Sequence, residues 1–263
     1  MPYELILRLG VFLGLFVLFA LSERYAPRRP LTARVAARWL TNWAFVLLDT
    51  ITLRLMAVVL PLLAVGAALD AGQRGLGLLN QIDLPGWVEV QLAILLLDLA
   101  IWAQHLITHK VPLFWRFHRV HHADADMDVT TAIRFHPVEI AASMLLKIGL
   151  VYLLGPSALA VVLFEILLNG TALFNHANIA LSARADRIIR TFLVTPDMHR
   201  VHHSVHRHEH DSNFGFALSL WDRLFRTYRA EPEGGHAGMR VGLNGSDQHP
   251  SELGWSLLLP FRK

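Results

Sequence analysis

Histidine is the residue type in this chain best placed to do chemistry. There are fifteen histidines and no cysteine. Eight fall into three short clusters: His105 and His109; His118, His121 and His122; His199, His202 and His203. His105 and His109, like His118 and His122, are one helical turn apart and so share a helix face. His121 lies beside the second pair. That trio spans a little more than a quarter turn and can face two ions rather than one. Neutral imidazole binds first-row metals well and needs no thiol. Eight ligands exceed the needs of one ion, so the pattern points to two. A single helix offers only a few ligands, so several helices must converge. The bland reading, with all eight as structural or surface groups, fits three dense clusters poorly. The absence of cysteine excludes disulfides, thiolate ligands, cysteine-held iron–sulfur clusters and a cysteine nucleophile.

The elements that must position these clusters are apolar. The chain has 263 residues and is 54% hydrophobic, with a mean hydropathy of +0.40. The excess sits in long runs, which is the mark of an integral membrane protein. The net charge is only +3, and the arginines cluster in loops. That argues for membrane orientation and against nucleic-acid binding. Crossing a bilayer takes about 20 helical residues. Five segments come near this: about 3–21, 42–69, 87–107, 138–154 and 157–177. Pro61 is expected to kink the second, and Gly155-Pro156 separates the last two. The first run contains Arg8 and lacks a convincing small-residue cleavage site, so it reads as a retained transmembrane helix rather than a signal peptide.

Basic residues orient the segments. Arg24, Arg28, Arg29, Arg34 and Arg38 follow the first, and Lys110, Arg116, Arg119 and Arg134 follow the third. The positive-inside rule then puts the histidine clusters and the C-terminus on the cytoplasmic side. The expected fold is all-α: an integral membrane helical bundle of about five membrane-embedded helices, with a cytoplasmic helical cap carrying the histidine clusters. Residues 1–91 form an N-terminal transmembrane region, 92–230 a histidine-box domain and 231–263 an irregular cytoplasmic tail. Residues 179–194 read either as a helix lying on the membrane surface or as an ordinary amphipathic helix of the cap.

Several polar residues lie within the apolar runs. Asp98 shares a helix face with Trp102 and His105. It reads either as an acceptor that orients a ligand histidine or as the partner of a basic residue on another helix. Glu165 reads as structural, and Glu139 as a favourable charge in the first turn of a helix.

The order His105-x-x-x-His109, His118-x-x-His121-His122, His199-x-x-His202-His203 resembles the fatty acid hydroxylase superfamily, also called the sterol desaturase family. Arg134-Phe-His-Pro-Val-Glu139, Phe174-Asn-His-Ala-Asn178, Asp211-Ser-Asn-Phe-Gly-Phe216 and Leu220-Trp-Asp-Arg-Leu-Phe225 fit the same pattern. The likeness runs from about Leu92 to Tyr228. It implies a membrane-bound di-iron, O2-dependent oxidoreductase that hydroxylates or desaturates a lipid C–H bond, of a sterol, a fatty acyl chain or a related lipid. Carried over residue by residue, the metal ligands are the eight histidines above, with His176 as a ninth. Asp98, His136, Asn178 and Asn213 are candidates to support the ligands; His136 is alternatively a helix-entry residue, and Asn178 and Asn213 are alternatively turn or cap residues. Two Fe ions are the implied cofactors, zinc being able to substitute in recombinant protein, with O2 as co-substrate.

The chain has no dinucleotide-binding turn and no haem-binding domain, so an external ferredoxin or cytochrome b5-like electron donor is implied. Arg226 stands where the family usually has Gly, in what reads as a surface turn. His206, His208 and His210 read as part of a solvated loop. Two other readings compete. One is a membrane zinc metallohydrolase with Asp124, Asp126 or Asp128 as a base. The other is a metal transporter or sensor, which would need ligands along a path through the bilayer rather than at one face.

Overall fold

The computed structural model describes residues 4–60, 62–244 and 249–262. Among them the secondary structure is helical, with only isolated β-bridges. The helices run α1 (Glu4–Tyr25), α2 (Val35–Val59), α3 (Ala64–Arg74), α4 (Gly86–Lys110), α5 (Pro112–His122), α6 (Pro137–Leu154), α7 (Ala158–His176), α8 (Ala183–Ile189), α9 (Pro196–His202), α10 (Arg207–His210), α11 (Leu220–Leu224), α12 (Gly235–Gly238) and α13 (Leu253–Leu258). Five helical stretches are long and apolar enough to cross a membrane: Glu4–Tyr25, Val35–Gln81, Gly86–Lys110, Pro137–Leu154 and Ala158–His176. The protein is a multi-pass membrane protein. The kink expected at Pro61 falls on a residue outside those described. On either side of it, α2 ends at Val59 and α3 begins at Ala64.

Local chemistry accounts for the helix ends that matter to the site. Val111 separates α4 from α5, and Pro112 opens α5 at its first position. Proline has no N–H and disfavours helix in the residue before it, so the chain breaks there and turns. That break lets one continuous stretch present His105 and His109 from α4, and His118, His121 and His122 from α5. Helix α6 likewise opens on Pro137, with His136 as its N-cap accepting from the Val138 N–H. It closes on Gly155 at φ 67. A Cβ on Gly77 would lie 2.3 Å from the Gly155 nitrogen, so both backbones need glycine to meet. Ser157 and Thr195 cap α7 and α9 through their hydroxyls.

The helices alternate in direction, so one end of the bundle gathers every functional element. The C-terminal ends of α1, α4 and α7 meet the N-terminal ends of α2 and α6 there. Arg28, just past α1, pairs with Asp197 on α9 at 3.0 Å. At the opposite end the Tyr152 hydroxyl donates to Asp70 at 2.9 Å, and Glu89 accepts from the Ser157 N–H at 2.8 Å. Within the bundle Glu165 on α7 is paired with Lys147 of α6 at 2.8 Å and Arg8 of α1 at 2.6 Å. The buried carboxylate is thus a structural tie between three helices. Phe16 packs edge-on against Trp39 and Trp43, joining α1 to α2. The outward faces carry bare aliphatics such as Leu5, Leu13, Leu47, Leu55 and Leu153, as a surface facing lipid requires.

A cap of short helices covers the end that holds the histidines. Its central lock is Arg38. That residue, expected among loop charges, lies fully buried in the first turn of α2, because the helix starts earlier than hydropathy suggests. It pairs with Asp124 at 2.6 Å and Asp128 at 2.7 Å. Burial opposes ionisation of Asp124, but the Arg38 guanidinium prevails and holds its carboxyl below the ordinary value. Asp126 meanwhile accepts from the Thr32 N–H at 2.8 Å.

The tail from Glu231, expected to be irregular, carries α12 and α13. Leu259 packs with Phe45, Val120 and Ala123 in a common cluster. Leu253, Trp255 and Leu257 pack against the same cluster and dock the tail under α5. Residues 179–194 form only a short helix, α8, followed by a turn. Ile188 and Phe192 remain exposed.

Replacing Arg38 with Ala would leave two buried aspartates without their cation. Breaking a buried pair in this way costs about 3–5 kcal/mol. Thermal unfolding in detergent should show a large drop in midpoint for Arg38→Ala, with the protein still inserted in the membrane. An unchanged midpoint would refute the lock.

Candidate metal centre

The nine expected histidines come together, and they divide. His105, His109, His118, His122 and His202 offer ring nitrogens that all lie within 4.8 Å of one another, and so do His121, His176, His199 and His203. All nine are buried. The first group draws on α4, α5 and α9. The second draws on α5, α7 and α9, with His203 at the end of α9. Neighbours His121 and His122 point to different groups, as do His202 and His203. A helix rotates each residue by about 100°, so adjacent histidines on α5 or α9 cannot serve one ion easily and serve two readily.

The spacing fits metal ligands. The Nε2 atoms of His105 and His118 are 3.1 Å apart, as are those of His121 and His176 and those of His176 and His199. Two nitrogens each about 2.0–2.1 Å from one ion would be separated by about this much. Several ring nitrogens are buried with no hydrogen-bond partner: both of His109, His122 and His203, Nδ1 of His199 and Nε2 of His202. Leaving so many polar atoms bare is costly unless an ion takes their lone pairs.

Other ring nitrogens are committed outward. His105 Nδ1 donates to the Phe214 carbonyl at 2.7 Å and His202 Nδ1 to the Ser212 carbonyl at 2.7 Å. His176 Nδ1 donates to the Ala172 carbonyl at 2.7 Å, and His121 Nδ1 to the Arg134 carbonyl at 3.2 Å. His118 Nδ1 donates to Glu139 Oε1 at 2.6 Å. Each bond fixes a tautomer whose Nε2 lone pair faces inward. Burial, and then the neighbouring imidazoles, hold His121, His122, His199, His202 and His203 well below the ordinary imidazole pKa. They are neutral at pH 7, as ligands must be.

The residues expected to support the ligands do other work. Asp98 neither orients a histidine nor pairs with a base. Its carboxylate accepts from Trp221 Nε1 at 2.8 Å and from the Leu218 N–H at 3.3 Å. Indole and amide donors satisfy it without a counter-charge. His136 is the cap of α6, with its other nitrogen 3.3 Å from the Leu257 carbonyl. Asn178 pairs with the Arg29 backbone at 3.1 and 2.8 Å and holds the α1–α2 connection. Asn213, at φ 54, donates to the Met198 and Arg229 carbonyls, both at 2.8 Å. Arg226 also adopts a left-handed φ of 60 on the exposed surface, a conformation glycine adopts without strain.

The supporting roles lie instead with backbone carbonyls and with Glu139. A carbonyl acceptor leaves no mark in sequence. Glu139 did have one, since it completes the stretch 134–139. In that stretch Arg134 supplies the carbonyl for His121, Phe135 stacks on His121 with centroids 4.6 Å apart, and His136 caps the helix that carries Glu139. Asp222 acts one step further out. It accepts from the Phe214 N–H at 2.8 Å, the Gly215 N–H at 2.9 Å and Trp102 Nε1 at 3.0 Å, and so fixes the loop whose carbonyl meets His105. His210, expected in a solvated loop, is buried and stacks on Trp115 beside the first group, while His206 and His208 are exposed.

A hollow of about 220 Å³ between α4, α5 and α10 reaches His109. A cavity of about 190 Å³ between α4, α6 and α7 reaches His105 and His118. An apolar groove of about 430 Å³ lies between α4, α5 and α6.

A helical membrane bundle whose buried histidines form two groups at one end defines a membrane histidine-box protein. Residues 90–227, more than half of the chain, match the fatty acid hydroxylase family, and the chain belongs to it. The match nearly coincides with the stretch that carries the resemblance in sequence. The chain is 32% identical to human alkylglycerol monooxygenase over 142 residues, 54% of this chain and 31% of that protein. It is 27% identical to an ornithine lipid hydroxylase of Rhizobium tropici, over 55% of this chain and 43% of that protein. It is 25% identical to rat cholesterol 25-hydroxylase, over 55% of this chain and 48% of that protein. The chain thus spans less than half the length of these relatives. No solved structure matches it.

His121→Ala and His202→Ala each strike one group. Metal analysis of detergent-purified protein should find about two ions in the parent and about one in each variant. Parent-like content in both variants would overturn the ligand assignment.

Proposed function

We propose that this protein is a membrane-bound lipid hydroxylase that works with O2 and two irons. The observation that carries this reading is the pair of buried imidazole groups at one end of the membrane helices, one of them reached at His105 and His118 by a cavity that shares lining residues with an apolar groove. His105, His109, His118, His122 and His202 would hold one ion and His121, His176, His199 and His203 the other. Bound there, the pair of irons supplies O2 activation and attack on an unactivated C–H bond. Imidazole suits iron as it also suits zinc, copper and nickel, and the family likeness is what favours iron.

The protein's own share is positional. Burial of all nine imidazoles keeps bulk water from the centre. Glu139 holds the His118 ring through Nδ1. The groove binds the apolar part of the lipid, with Leu113, Phe114 and Leu146 among its walls. In hydroxylation one oxygen atom enters the C–H bond and the other leaves as water, which consumes two electrons and two protons. A separate ferredoxin or cytochrome b5-like donor supplies the electrons. Lys110, Arg116 and Arg207 lie exposed near the histidine end and offer an acidic donor a basic surface. Hydroxylation is favoured over desaturation because the relatives named above are hydroxylases or monooxygenases.

The zinc hydrolase reading loses its bases. Asp124 and Asp128 are bound to Arg38, and Asp126 is bound to Thr32 and Ala33. A transporter needs ligands across the bilayer, whereas both imidazole groups sit at one end. The basic connections at that end, with Arg24, Arg28, Arg29 and Arg34, favour the cytoplasmic side. A reporter fused after Lys263 should read cytoplasmic. A reading on the other face would reverse this orientation.

The activity is tested with iron-loaded protein, a cellular lipid extract, O2 and a chemical reductant. Mass spectrometry should find lipids that have gained one oxygen atom, and His202→Ala should cut the product at least about a hundredfold. Oxygen incorporation equal in parent and variant would sink the reading.

A further inference from the structure

The cavity beside the centre and the apolar groove share a boundary, and that boundary is polar. Gln104 and Thr108 are one turn apart on α4, as are Glu139 and Ser143 on α6, so each pair shares a face. These four residues line both hollows. Gln104 Nε2 donates to Ser143 Oγ at 3.0 Å and ties the helices together. Thr108 Oγ1 is spent on the Gln104 carbonyl at 2.5 Å. Glu139 Oε1 accepts from His118.

Two side-chain oxygens remain at this neck: Glu139 Oε2 and Gln104 Oε1 are both buried, and neither has a hydrogen-bond partner. The nearest ammonium along α6, on Lys147, is bound to Glu165 and cannot serve them. Buried acceptors are normally satisfied. Two of them facing the same pair of hollows, with their second functions already committed, make a site for a ligand that brings its own donors.

We propose that the Gln104–Glu139–Ser143 neck is a head-group subsite for a neutral lipid bearing free hydroxyls. This deepens the lipid hydroxylase reading and rests on it. The hydroxyls donate to Glu139 Oε2 and to Gln104, while the alkyl chain lies in the outer groove against Leu113, Phe114 and Leu146. Because Glu139 also holds His118, the bound head sits within one imidazole ring of the centre. The carbons adjoining it are the ones exposed to attack. A carboxylate or phosphate head is disfavoured, since it brings no donors and would stand against the Glu139 carboxylate with no free cation among the neck residues. A bare hydrocarbon leaves both oxygens unsatisfied.

The test is equilibrium binding by metal-loaded protein in nanodiscs, so it does not depend on turnover. The competitors share one chain length: 1-hexadecylglycerol, 1-hexadecanol, palmitate and hexadecane, each displacing a fluorescent alkyl probe. The two hydroxyl lipids should bind at least about tenfold more tightly than the other two, as a hydrogen bond to a charged acceptor permits. Because Glu139 Oε2 remains, Gln104→Leu should weaken binding of the two hydroxyl lipids at least about threefold, with hexadecane affinity and metal content unchanged. Equal affinities in the parent, or hydroxyl-lipid affinity unchanged in Gln104→Leu, would overturn the subsite alone. Failure of all four to displace the probe would overturn the subsite together with the lipid reading.

Discussion

Everything in this structure depends on keeping nine imidazoles buried and facing one another. Burial and the neighbouring rings hold His121, His122, His199, His202 and His203 well below the ordinary imidazole pKa, because charge is costly out of water and each neighbour would add repulsion. The same burial leaves bare nitrogen lone pairs that are expensive without an ion. The fold therefore invests in rigidity around the rings. Five of them donate Nδ1–H to a fixed oxygen, four times to a backbone carbonyl and once to Glu139. Metal sites gain affinity and a defined ligand geometry from such outer bonds.

That rigidity is built from polar locks rather than from a large apolar core. Arg38 draws the start of α2 to Asp124 and Asp128. Arg134 reaches the Val120 carbonyl, Asn42 and Ser256, joining the α5–α6 connection to α2 and to the tail. Asp222 gathers the loop at Phe214 and the indole of Trp102. Each lock joins segments far apart in the chain. On the bilayer side apolar helices suffice, because lipid and aliphatic side chains satisfy one another without further arrangement.

The centre thus faces two media. The cap closes it against water, and the hollows between α4, α5, α6 and α7 open it toward lipid. Glu139 sits where the two meet, holding a histidine with one oxygen and bordering both hollows. On the proposed reading, a lipid lying in the outer groove meets polar groups first at this boundary.

Much of this was legible in the sequence because periodicity and spacing survive without neighbours. Apolar runs defined the five membrane segments. Histidine spacing within α5 and α9 already implied that adjacent rings diverge toward two ions. The order of the boxes marked the family. Tertiary structure alone decided which histidines join which group, since that depends on how α4, α5, α7 and α9 converge. It also chose between the readings open for His136, Asn178 and Asn213, and gave Asp98 neither of its expected partners. Their types suited a ligand-supporting role, but their partners are an indole, a helix end and backbone groups, brought near by folding. The true supports were mostly carbonyls, which every residue carries and which no sequence distinguishes. Arg38 read as a loop charge because hydropathy cannot see a buried carboxylate partner eighty-six residues away.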